Sequence, residues 1–135
     1  MPTLTIADLS GFTGSLEWTR HWLSRNIIYS EGMAHVAEHA GGGAHWLLDA
    51  IASHEVANPE LVALKRADPD SIRFWTLTVD TENHSAVLEC RADSDQPAVV
   101  TQVIEHTDFP LPRFQVYAGN DGPETPIKLF LPSEY

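Results

Sequence analysis

Apolar positions recur with a helical period in the first half of the chain and alternate with a strand period in the second. Ser30 precedes Met33, Val36, Ala37 and Ala40, whose i, i+3, i+4, i+7 spacing makes one apolar stripe of a helix capped by the serine. Three glycines, 41–43, stop that helix. A second helix is predicted over residues 44–55, carrying Leu47, Leu48, Ala50 and Ile51. Asn58 then caps a third, with Pro59 at its first position and an end near Ala67. Upstream, Thr5 can cap a short helix through Leu9, and residues 16–22 and 27–29 read as a hairpin.

In the second half Trp75, Leu77 and Val79 share one face of a strand, with Thr76 and Thr78 opposite. The polar segment 80–84 turns into Ala86, Leu88 and Cys90, and further strands are predicted over 99–104, 114–118 and 127–131. Asn120, Asp121 and Gly122 mark a loop between the last two. The expected architecture is α+β: one domain over residues 1–135, an antiparallel sheet with two or three helices packed on one face. Trp46, Leu47, Ile51, Trp75, Leu77, Leu88, Val103, Val116 and Leu129 form the expected core.

At 135 residues and 43% hydrophobic content the chain can bury a real core, which argues against a disordered protein. Charge narrows the picture further. Nineteen Asp and Glu stand against eight Lys and Arg, a formal net charge of −11. The acids are spread along the chain rather than gathered in a tail. Such a balance opposes direct nucleic-acid binding and docking on an anionic membrane. Cys90 is the one cysteine, so neither an intrachain disulfide nor a CxxC zinc site can form. The opening Met-Pro-Thr-Leu-Thr lacks a basic start and an apolar core, and no run of about 18 apolar residues occurs. A soluble cytoplasmic protein is expected.

The sharpest local motif is His35-Val36-Ala37-Glu38-His39, the H-x-x-E-H spacing in which two histidines ligate zinc and the glutamate activates water. These side chains fall opposite the apolar stripe, however, and catalytic zinc needs a third protein ligand. No cofactor or metal is therefore expected, and a zinc hydrolase ranks below a binding protein. The triple glycine lacks the Lys-Ser/Thr of a phosphate loop, and Cys90 in mid-strand reads as a buried, inert thiol. Trp18 and Trp22 lie near Arg20 and Arg25, a cluster of aromatic and cationic groups suited to an anionic small ligand.

Several strings occur together: Phe12-Thr13-Gly14, Arg20-His21, Tyr29-Ser30-Glu31-Gly32, Trp46-Leu47-Leu48-Asp49, Trp75-Thr76-Leu77-Thr78-Val79, Thr107-Asp108-Phe109-Pro110-Leu111 and Leu131-Pro132-Ser133-Glu134-Tyr135. In this order the chain resembles domain of unknown function family 6876, small uncharacterised proteins of bacteria, plasmids and phages. The resemblance implies a mobile-element setting and supplies no catalytic residues. It also singles out residues 91–99 and 119–125 as the segments that vary most from the pattern.

With no catalytic constellation, the first expectation is a non-enzymatic binding protein, a counter-defence inhibitor acting in the host cytoplasm on a protein with a basic surface. A CRISPR-type nucleoprotein effector has such a surface in its nucleic-acid channel. Glu82, Asp93, Asp95, Asp121 and Glu124, in or beside predicted turns, are the expected contact acids. The alternative is a binder of an anionic nucleotide signal through Trp18, Arg20, Trp22 and Arg25, with Arg73, Arg91 and Arg113 as further cations. A homodimer fits either reading.

Overall fold

A computed structural model describes residues 18–21, 27–41, 43–67, 72–93, 96–119 and 126–132. These residues contain three helices, α1 (Glu31–His39), α2 (His45–Ala57) and α3 (Pro59–Ala67). The strands are β1 (Trp18–Arg20), β2 (Ile27–Ser30), β3 (Ile72–Asp80), β4 (Ser85–Arg91), β5 (Val100–Ile104), β6 (Arg113–Gly119) and β7 (Ile127–Phe130). They form one sheet in the order β1-β2-β7-β6-β3-β4-β5. Neighbours run antiparallel except β2 and β7, which pair in parallel from Ile27↔Ile127 to Tyr29↔Leu129. No hairpin joins these two strands. The whole helical layer and four strands intervene, so no short turn dictates their direction.

Local signals in the sequence explain the helix boundaries. Ser30 Oγ accepts a hydrogen bond from the Met33 N–H at 3.2 Å, which caps α1. Asn58 Oδ1 accepts from the Glu60 N–H at 3.1 Å, and Pro59 opens α3. Past the end of α1, Gly41 adopts φ +59°, and a Cβ there would lie 2.5 Å from the Asp108 carbonyl oxygen. Only glycine allows the β5–β6 loop to approach α1 this closely. The expected short helix at residues 5–9 and the loop at 120–122 lie outside the described residues.

The helices cover one face of the sheet, and strand alternation supplies that face with Leu129, Ala118, Val116, Trp75, Leu77, Leu88 and Cys90, all buried. From the helices Met33, Val36, Leu47, Ile51 and Leu61 meet them. On the other face Phe74, Tyr117 and Phe130 stand in one cross-strand row. Their rings meet edge to face, with centroids 5.0 and 6.0 Å apart.

Two expected core residues differ. Val103 is 68% exposed, because the helix face of β5 belongs to Val100, Gln102 and Ile104. Residues 99–104 are apolar at both parities, so alternation alone could not choose the inward set. Trp46 is half-buried at the margin of the core rather than inside it.

A buried ion pair ties the two layers together. Glu55 of α2 and Arg73 of β3 are both fully buried. Arg73 donates from Nε to both carboxylate oxygens, at 2.9 and 3.1 Å, and its terminal nitrogen lies 2.7 Å from Oε1. Trp75 Nε1 donates to Oε2 at 3.0 Å, and Lys65 Nζ donates to the Glu55 carbonyl. Every buried side-chain nitrogen and oxygen among the described residues has a partner. Burial holds the Lys65 ammonium below its ordinary pKa, against the opposing pull of Glu55.

Arg73→Ala, which would leave the carboxylate of Glu55 buried without its partner, is expected to cost about 3–5 kcal/mol in urea unfolding. Replacing both residues, as Glu55→Leu with Arg73→Met, is expected to recover most of that loss. Ile51→Ala or Leu77→Ala should cost roughly 2–5 kcal/mol through the cavity each leaves.

Candidate functional site

The β3–β4 turn is built by its own first side chain. Asp80 Oδ1 accepts from the N–H groups of Glu82 and Asn83, each at 3.2 Å, and Oδ2 accepts from Asn83 Nδ2 at 2.7 Å. These bonds to the ionised form hold the Asp80 carboxyl below its ordinary pKa, the Asn83 side chain contributing most. His84 completes the turn at φ +57°, a left-handed conformation that histidine adopts more readily than most residues. Its carbonyl accepts from the Thr107 N–H at 2.7 Å, which ties the turn to the β5–β6 loop. Asp80, Glu82, Glu105 and Asp108 are all exposed on these two joined loops.

The expected contact acids are placed differently. Glu82 belongs to this end, while exposed Asp93 follows β4 at the other end of the sheet, about 20 Å away along the strand. The two cannot share one compact contact face. Asp95, Asp121 and Glu124 lie outside the described residues. Across the described chain the exposed acids are Glu31, Glu38, Glu60, Asp80, Glu82, Asp93, Glu105 and Asp108. The exposed bases are Arg66 and Arg113.

The zinc-like motif lies on α1, with Glu38 and His39 exposed and His35 half-buried. The His35 and His39 rings are 4.5 Å apart, and His39 Nε2 lies 3.8 Å from Glu38 Oε2. Among the described residues no group of three His, Cys, Asp or Glu comes together that could hold a metal ion. Cys90 is fully buried, and burial together with the charge of Glu55 pushes its thiol up to about 12.

Of the alternative ligand cluster, Trp18 is 37% exposed with the Lys128 ammonium 5.4 Å from its ring centroid. Trp22, Arg25 and the side chain of Arg20 lie outside the described residues. Arg73 is removed from the pool of cations by its pairing with Glu55, and Arg91 bonds Glu89 at 3.2 Å.

A polar junction absent from the expected sites lies where β1 meets the helices. Buried His21 has Nε2 2.9 Å from Asp49 Oδ1 of α2. Tyr29 stands nearby, its phenol pKa raised by burial and then by the charges of Glu38 and Asp49. Twenty-eight residues separate His21 from Asp49, and no local spacing announces such a contact. One signal was available. Arg20-His21, Tyr29-Ser30-Glu31-Gly32 and Trp46-Leu47-Leu48-Asp49 are three of the strings that carry the family resemblance, and here they converge.

A family model described as "Family of unknown function (DUF6876)" matches residues 3–135, essentially the whole chain. The chain belongs to that family. No curated protein and no solved structure matches it. Membership in DUF6876 therefore accounts for the shared strings and brings no activity with it. No helix among the described residues is long and apolar enough to cross a membrane.

The Asp80 interaction carries a signed pH dependence. Because its pKa is depressed on folding, its contribution to stability is present above the ordinary aspartate value of 3.8 and is lost as pH falls through the lower folded value. In an NMR titration of the carboxyl carbons, Asp80 should titrate below the ordinary aspartate value of 3.8. Asn83→Ala should move its midpoint back up; an unchanged midpoint would contradict the hydrogen-bonded turn.

Proposed function

We propose that the protein is a small non-enzymatic binding protein that engages a partner with a basic surface through the acids of the β3–β4 turn and the β5–β6 loop. The observation that carries this reading is the imbalance of exposed charge. Among the described residues eight acids are exposed against two bases, Arg66 and Arg113, while Glu55 and Arg73 are buried together as a pair of opposite signs. The exposed side chains thus keep the acidic imbalance of the −11 composition. Asp80, Glu82, Glu105 and Asp108 project from two loops hydrogen-bonded to each other, so they need little ordering on binding.

A nucleoprotein effector with a positively charged channel, such as a CRISPR effector, is a partner of this chemistry. A counter-defence role in the host cytoplasm is the biological form of the proposal, in keeping with the mobile-element setting that the resemblance implies. The second reading, an anionic small ligand, is favoured by the Lys128–Trp18 contact at the edge of the sheet.

Affinity capture from host lysate, with mass spectrometry of protein and small-molecule fractions, separates the two. The acidic reading expects a basic protein partner that is lost from Glu82→Lys/Glu105→Lys and retained by Asp93→Lys at the far end. Association should slow as salt rises from about 0.05 to 0.5 M, because the Debye length falls from roughly 14 to 4 Å. A co-purified nucleotide lost on Lys128→Ala, with the loop reversals silent, would rule the acidic reading out.

A further inference from the structure

β5 closes the sheet at one edge, and among the described residues β4 is its one strand partner. Proteins blunt such edges with Lys, Pro, inward charges or a covering loop. β5 has none of the first three: it reads Val-Thr-Gln-Val-Ile, and residues 96–104 contain no charged side chain. In a chain of net charge −11, that neutral stretch lies along an edge whose backbone can pair with another extended strand. Val103 stands 68% exposed beside Val87, its cross-strand partner, in a shallow depression that both residues line.

We propose that β5 pairs antiparallel with β5 of a second copy of this chain, so that two sheets join into one across a twofold axis. Edge strands accept extended partners in general, and the register selects this one. Centred on Gln102, the pairing sets Val103 against Thr101 of the other copy and Ile104 against its Val100. These are β-branched pairs on matching faces. Glu105 falls opposite Val99, so no like charges meet, and the two Glu105 side chains stand at opposite ends of the new ladder. Gln102 keeps its hydrogen bond to His54 Nε2, at 2.8 Å, because the contact uses the edge and not the face. A five-residue ladder makes a small interface, with a dissociation constant on the order of 1–100 µM.

Sedimentation velocity of the full chain from about 5 to 500 µM should show a monomer–dimer equilibrium across that range. Val103→Lys, at a side chain already exposed in the monomer, should weaken it by about tenfold or more. Added salt should tighten the dimer by screening two copies of −11, the reverse of its effect on a basic partner. The second test is Thr101→Cys/Val103→Cys, whose cysteines face each other only between copies and should cross-link into a dimer on mild oxidation. Cys90, fully buried, stays silent in that experiment. A wild-type chain that remains monomeric throughout overturns the proposal, as does a dimer that folded Val103→Lys leaves intact. Should Val103→Lys fail to fold by circular dichroism, the cysteine pair decides, and no cross-link counts against the proposal. The β5 variants leave Asp80, Glu82 and Asp108 in place, and Glu82→Lys alone tests the acidic loops without changing a residue of the ladder.

Discussion

The Glu55–Arg73 pair is the constraint around which the rest of this molecule is arranged. A carboxylate with no solvent exposure is tolerable only with full compensation; here Arg73 and Trp75 of β3 donate to it, and the Lys65 ammonium of α3 lies 4.0 Å from Oε1 while donating to the Glu55 carbonyl. Because those donors come from two elements, the pair specifies where α2 lies over the sheet as well as stabilising it. The apolar contacts around it are less particular: Ile51, Leu77 and Leu88 would pack in several neighbouring registers, whereas the guanidinium accepts one.

Charge is handled differently inside and outside. Glu55 and Arg73 are enclosed as a pair, so the interior takes one charge of each sign and the exterior keeps the imbalance of the composition. The acids left outside are held on ordered loops, one by the Asp80 turn and the other by the Thr107–His84 hydrogen bond and the close approach of Asp108 to Gly41.

Much of the fold was legible from short-range chemistry. Ser30 and Asn58 each offer one side-chain acceptor at a helix start, and Pro59 can occupy the position it takes. Trp75, Leu77 and Val79 alternate cleanly because β3 lies mid-sheet with helices on one side only. Legibility ended where partners are remote in sequence. Arg73 reads as a surface arginine until Glu55 is placed beneath it, and His21 gives no sign of Asp49. Val103 failed for another reason: at a sheet edge, apolar residues occur on both faces, and parity loses its meaning. Of the candidate acids, the exposure of Glu82 and Asp93 was legible, but their separation along β4 depends on which turn caps which end.

The parallel pairing of β2 with β7 has a consequence in time. Ile27 meets Ile127, so one hundred residues of chain must be made before that register can close. β3, β4, β5 and β6 are contiguous in sequence and can assemble through turns and loops as they emerge, whereas β2 has only the three residues of β1 to hold. The sheet is thus completed last at the seam where early and late chain meet. A nascent chain truncated before residue 127 would carry β2 with its inner edge unpaired, an open template for any passing strand.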